Sequence, residues 1–179
     1  IKSGDGFFRA VKDFGVFPVV VIHVSRRLVW GVFKLDSAAL CCAIIDYHLE
    51  KPKKERRGLL VQRYLPPSGR KDIRVLIVGQ QVAGAQVLKP IPGDFRANYH
   101  LSGQSRLFEM TPEINNLSIR AARAVGLDIA GVDLMVEKGG SPQVGEVNYA
   151  PGFKGLEAAS GRDIAGEIID YVVGRIKSQ

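Results

Sequence analysis

Cysteine is scarce in this chain: it has two among 179 residues, and they are neighbours, Cys41 and Cys42. Adjacent positions in a helical pattern point different ways, so the pair offers neither the spacing of a metal knuckle nor a mutual disulfide, and a reducing compartment fits. Histidine is rare too, with three residues. His23 and His48 have no metal-ligand spacing to each other or to acidic residues, which leaves them structural. No apolar run is long enough to span a bilayer, since Phe17–Val24 has the length of a strand, and no signal-peptide pattern opens the chain. There is no internal repeat, low-complexity tract, coiled-coil heptad, RNA-binding motif or zinc-finger motif. These absences exclude a disulfide scaffold, a zinc module and a membrane span, and they read as cytoplasmic.

What is present is a globular composition, 46% hydrophobic, able to fill one domain or two small lobes. The formal charge of +7 favours an anionic partner, whether nucleotide, acidic peptide or nucleic acid. Much of the excess lies in KPKKERR, Lys51–Arg57. Without interleaved aromatic residues this run reads as a solvated loop, and direct nucleic-acid binding is not favoured.

The periodicities predict a mixed α and β chain. Ser3–Phe14 suits a helix, Phe17–Val24 and Leu28–Phe33 a hairpin, and Asp36–Glu50 a helix with Leu40, Ile44 and Tyr47 on its buried stripe. Leu59–Leu65, Asp72–Gly79 and Val82–Leu88 read as strands, with Asp72, Arg74, Leu76 and Val78 sharing a face. Thr111-Pro112-Glu113 starts a helix whose stripe is Ile114, Leu117, Ala121, Ala124 and Val125, with Gly126 as its stop. Ser160 or Asp163 opens a last helix with Ile164, Ile168, Tyr171, Val172 and Ile176 as its core face.

The chemistry concentrates in AGVDLMVEKGGSPQVGEVNYAPG, Ala130–Gly152, which reads as two short strands. If Gly139–Pro142 form the loop, Asp133 falls opposite Asn148, and Asp133, Glu146 and Asn148 converge on one side of the hairpin. Two carboxylates and an amide oxygen make a hard, all-oxygen set suited to Mg2+ or Mn2+ and poorly suited to zinc.

AGVDLM and GEVNYAPG, together with GDFRANYH at Gly93–His100, closely resemble the ATP-grasp superfamily, in particular its RimK-like branch of glutamate and related amino-acid ligases. The resemblance implies an α+β ATP-grasp fold, with a small hairpin-plus-helix lobe (1–58), a larger antiparallel-sheet lobe (59–179) and nucleotide between them. It implies an ATP-dependent carboxylate–amine ligase working through an acyl phosphate, with ATP and Mg2+ or Mn2+ as cofactors. By the same resemblance Asp133, Glu146 and Asn148 hold the metal, and Arg74 and Arg96 are the catalytic cations. Gln62, Arg63, Tyr64, Leu65, Asp72, Arg96, Ala97 and Asn98 contact the nucleotide. The partners implied are an amino acid, by default glutamate, and a carboxylate acceptor such as a ribosomal protein. The resemblance is patchy before Leu59. Ile22 stands where the family has a lysine, and Ser25–Val29 replace its glycine-rich phosphate loop. RimK-like enzymes also carry an N-terminal domain and the first part of the ATP-grasp lobe ahead of this point, so the chain reads as a fragment or a shortened relative. The alternative function is a nucleotide-binding or interaction module that has lost turnover; a third, resting on charge and the basic run, is an RNA or ribosome contact.

Overall fold

A computed structural model describes residues 19–24, 29–54, 58–88 and 105–178. The helix expected over Ser3–Phe14, the turn at Arg26–Arg27 and the whole of GDFRANYH lie outside the described residues. The chain divides into two compact units, Ile1–Tyr64 and Leu65–Gln179.

The first unit contains strands β1 (Val19–Val24) and β2 (Val29–Leu35), helix α1 (Ala38–Glu50) and strand β3 (Gly58–Arg63). The three strands form an antiparallel sheet in the order β2-β1-β3. The small lobe expected at 1–58 holds a hairpin, and Leu59 is expected to head the second lobe. Instead β3 pairs along the whole of β1, and the division falls after Tyr64. Ser37 caps α1 by accepting from the Leu40 amide at 3.3 Å, which satisfies one of the amides left open at a helix start.

The stripe expected on α1 is displaced by one residue. Cys41, Ile45 and His48 are buried, while Leu40 and Tyr47 are 49% and 64% exposed. Both triplets have helical spacing and α1 is apolar on adjoining faces, so periodicity alone could not choose between them. Leu35, Cys41 and Ile45 form the small core, with Ile44 and Val61 against it. Burial raises the Cys41 thiol above its ordinary pKa, and the neighbouring Cys42 adds to the shift, which disfavours the thiolate.

The second unit opens with a single 3-10 turn, Pro67–Gly69. Strands β4 (Arg70–Val78), β5 (Gln81–Leu88), β6 (Ser105–Leu107), β7 (Ile129–Glu137) and β8 (Gln143–Asn148) follow, with helices α2 (Pro112–Ala124), α3 (Lys154–Ser160) and α4 (Ile164–Lys177). The sheet is antiparallel throughout, in the order β6-β5-β4-β7-β8. Central strand β4 is covered on both faces. Ile73, Val75 and Ile77 join Val132, Leu134 and the α2 residues Ile114 and Ala122 in the main core. Leu76 on the other face packs with Ala83, Leu156 and Ile164. Each fully buried Ile, Leu or Val of this set is worth roughly 1.5–3 kcal/mol, so the sheet is a rigid platform for whatever its edges carry.

Helices α2 and α4 are capped as the sequence implies: Thr111 accepts from the Ile114 amide and Asp163 from the Gly166 amide. Their far ends differ from expectation. Val125 is exposed, and of the α4 stripe Ile164 is buried and Ile168 packs against the core, whereas Val172 and Ile176 face solvent. Helix α3 was not foreseen. It has seven residues and no side-chain cap, too little pattern for periodicity to register, yet its Leu156 packs onto Gly84, where a Cβ would lie 3.0 Å from both methyls.

Candidate functional site: a charged row across the sheet

Strand pairing brings the chemistry of three strands into one line. Arg74 on β4 is directly opposite Asp133 on β7, and Asp133 is directly opposite Glu146 on β8. Directly opposed residues point to the same face, the face also occupied by Leu76. Arg74 donates from Nε to Asp133 Oδ1 at 2.7 Å and from Nη2 to Oδ2 at 2.6 Å, a bidentate pair. This bond, with help from the Asp133 and Glu146 charges and against the effect of burial, raises the pKa of Arg74, so it is a permanent cation.

The hairpin register differs from the one expected. Asp133 faces Glu146, not Asn148, and Asn148 instead faces Gly131. The register shifts between Asp133 and Leu134, because Val144 and Glu146 pair with consecutive β7 residues and leave Gly145 as the extra residue of a bulge. The turn is also longer than a four-residue loop, since the ladder closes at Met135 opposite Gln143. The three oxygen residues nevertheless share a face, because Glu146 and Asn148 are two apart on one strand.

The far end of the hairpin is locked by glycine and proline together. A Cβ on Gly131 would lie 2.9 Å from Pro151 Cβ, so only glycine leaves room for the turn that follows β8. Asn148 Oδ1 accepts from the Ala150 amide at 3.0 Å, folding that turn back over the strand. Thus the AG before Val132 and the NYAP after Val147 are two halves of one packing contact.

Asp72 lies two residues before Arg74 on the same face, and Arg70 donates from Nε to its Oδ1 at 2.9 Å. Burial raises the Asp72 pKa, and the Arg70 charge and hydrogen bond oppose the shift. Its second oxygen, Oδ2, is buried without a hydrogen-bond partner. Gln86 on β5, directly opposite Arg74, is 2% exposed, and its Oε1 also has no partner. Sequence reasoning missed Gln86, although a polar residue inside the otherwise apolar run VAGAQVL was a signal of a polar face.

The segment expected to meet the adenine is divided. Gln62 and Arg63 end β3, and Tyr64 closes the first unit with Lys34 Nζ 5.1 Å from its ring centre. Leu65 begins the second unit, buried, its carbonyl accepting from Arg70 Nη1. Arg96, Ala97 and Asn98 lie outside the described residues.

The donor set fits a hard divalent cation. Glu146 is exposed, Asp133 presents a carboxylate with lone pairs beyond the two used by Arg74, and Asn148 adds an amide oxygen. Among the described residues there is no group of three or more His, Cys, Asp or Glu side chains that could hold a metal ion, so the set rests on two carboxylates and the Asn148 amide.

The sequence profile of the RimK-like ATP-grasp domain matches residues 7–172. The chain belongs to this family. It is 43% identical over 170 residues to a probable alpha-L-glutamate ligase 1 of Hahella chejuensis, an overlap of 95% of this chain and 54% of that protein. It is 42% identical over 170 residues to a probable alpha-L-glutamate ligase of Azotobacter vinelandii, covering 95% and 55%. The RimK-like chain therefore spans about half the length of these relatives. Among solved structures it superposes on the ATP-grasp ligase PsnB complexed with a minimal precursor, with TM-score 0.69, 25% identity and coverage of 94% of this chain and 52% of PsnB. The ATP complex of D-alanine–D-alanine ligase from Bacillus anthracis shares the fold, with TM-score 0.63, 20% identity and coverage of 94% and 55%. The ATP-grasp, α+β architecture is thereby shown. Among the described residues no helix is long and apolar enough to cross a membrane.

Proposed function

We propose that this chain is the ATP-grasp portion of an ATP-dependent carboxylate–amine ligase, joining an amino acid, by default glutamate, to a peptide or protein carboxylate in the cytoplasm. The observation that carries the reading is the Arg74–Asp133–Glu146 row with Asn148 beside it. Asp133 fixes the plane of the Arg74 guanidinium with two of its five N–H groups, so the remaining fork is held in one orientation. An oriented, permanently charged fork suits the charge that spreads over a transferring phosphoryl group and over the tetrahedral centre formed when the amine attacks. Asp133, Glu146 and Asn148 would hold Mg2+ or Mn2+. Bound there, the ion would supply positive charge to offset that of the nucleotide phosphates. Arg96 and Asn98 are assigned to the phosphates, Asp72 to the nucleotide, and the backbone of Gln62, Arg63, Tyr64 and Leu65, with Ala97, to the base and its surroundings.

The test is an ATP titration with and without Mg2+, in wild type and in Glu146→Ala, followed by Mg2+-dependent ADP release with glutamate and candidate carboxylate acceptors, a ribosomal-protein C-terminus among them. Expected is Mg2+-dependent binding that Glu146→Ala weakens about tenfold or more. Equal affinity in all four titrations removes the metal site from the reading. The second reading, a binding module without turnover, draws on Ile22 and on the Ser25–Val29 substitution of the phosphate loop. Nucleotide binding without ADP release under any acceptor would favour it.

A further inference from the structure

Helix α4 carries two apolar stripes, and the fold uses one. Ile164 and Ile168 face the core. Ile169, Val172, Val173 and Ile176 face solvent, at 60%, 41%, 41% and 68% exposure. Their spacing is i, i+3, i+4, i+7, the seam of a helix that packs against another helix. Branched Ile and Val are mediocre helix formers and bring an exposed position no compensating gain, so a solvent-facing run of four calls for a covering surface.

The charges beside this seam define what covers it. Acidic residues occupy the first half of α4 (Glu167 and Asp170), and basic residues the second (Arg175 and Lys177). That segregation complements the helix dipole in a lone chain, but the dipole asks for no apolar seam. Glu167 is held by Arg162 at 2.6 Å, and Arg175 lies 3.7 Å from Asp128. Among the described residues Asp170 and Lys177 have no ion-pair partner. They are seven residues apart, two turns along the same flank of the seam.

We propose that α4 is a self-docking surface that joins two copies of this chain as an antiparallel, two-fold symmetric helix pair. With the two-fold axis between Val172 and Val173, Ile169 of each copy meets Ile176 of the other and Val172 meets Val173. Antiparallel symmetry sets each flank beside the same flank of the second copy with its direction reversed, so Asp170 approaches Lys177 of the second copy, twice. A parallel pair would forgo both ion pairs and align the helix dipoles head to head. The contact is a single helix face, well below a standard interface of about 800 Å² per partner, so the dimer is a weak one, with a dissociation constant on the order of tens of micromolar or above.

The proposal is tested by sedimentation equilibrium of the whole chain, loaded from micromolar to near-millimolar concentration. Expected is a monomer–dimer equilibrium that Val173→Glu weakens at least tenfold. Asp170→Lys alone and Lys177→Asp alone also weaken it, and the double reversal Asp170→Lys/Lys177→Asp restores it to within about threefold of wild type. Far-UV circular dichroism of each variant shows the fold retained, as these side chains are exposed. A wild-type chain that stays monomeric over the range, association that Val173→Glu leaves unchanged, or a double reversal no stronger than its singles overturns the antiparallel pairing.

Discussion

Replacing Asp133 by leucine leaves the Arg74 guanidinium without its partner in a site where the two side chains are only 16% and 27% exposed. Each of the two charge-assisted hydrogen bonds is worth about 1.5–3 kcal/mol where fully buried, and orphaning a buried ion costs about 3–5 kcal/mol. The residual exposure of both groups discounts these figures, because water reaches the abandoned charge, so about 2 kcal/mol is the expected loss. Arg74→Met should cost a similar amount through the abandoned carboxylate. The double variant Arg74→Met/Asp133→Leu removes both charges and should recover most of the loss, giving a coupling of roughly 2–3 kcal/mol. The assay is urea denaturation of the four proteins followed by far-UV circular dichroism. With a slope of about 1–3 kcal/mol/M, each single variant should unfold roughly 1 M earlier than wild type, and the double much closer to it. Raising the salt concentration should change the coupling little, since a partly buried bidentate pair is weakly screened. Single variants that cost under about 0.5 kcal/mol and simply add in the double would refute the pair as a structural element, and with it the argument that Asp133 orients Arg74.

Asp72 supplies a pH-dependent prediction. Its folded pKa is raised by burial, so the stability it contributes is fully present below the unfolded value of 3.8 and is lost as pH rises through the folded value. Asp72→Asn should therefore gain stability relative to wild type as pH climbs from 3.8 toward neutrality, and thermal melts whose difference is flat over that range would contradict the assignment. Gly131→Ala places a methyl group against Pro151 at 2.9 Å and should cost about 1–3 kcal/mol, whereas at Gly145 the added methyl meets the flexible end of Met135 at 3.0 Å and the Asp133 carbonyl at an ordinary 3.6 Å and should cost less than about 0.5, as read by chemical denaturation. Restoring Ile22→Lys together with a glycine-rich turn across Ser25–Val29 should tighten ATP binding about tenfold to a hundredfold by calorimetry; unchanged affinity would make the native residues sufficient.

The sequence carried the strands of the second unit well because β4, β5 and β7 alternate or are largely apolar, and the caps at Thr111 and Asp163 are local chemistry. It carried the grouping of Arg74 with the hairpin less directly, since the cross-strand pairing of β4 with β7 is a tertiary fact that no local pattern encodes. The hairpin register was misread because a bulge at a glycine is silent in a period-two pattern. Stripe assignment failed on α1, and at the end of α4, wherever a helix is apolar on more than one face. There the sequence marks what can be buried, and only the packing decides which face is.

The bulge at Gly145 lies between the carboxylates and the hairpin turn, while Gly131 and Pro151 clamp the opposite end. The spacing of Asp133 and Glu146 is thus set from one side, and the bulge takes up mismatch arriving from the other. Residues 138–142 are accordingly a natural insertion point. A peptide tag or a fused domain grafted there should leave Asp133, Glu146 and Asn148 in register.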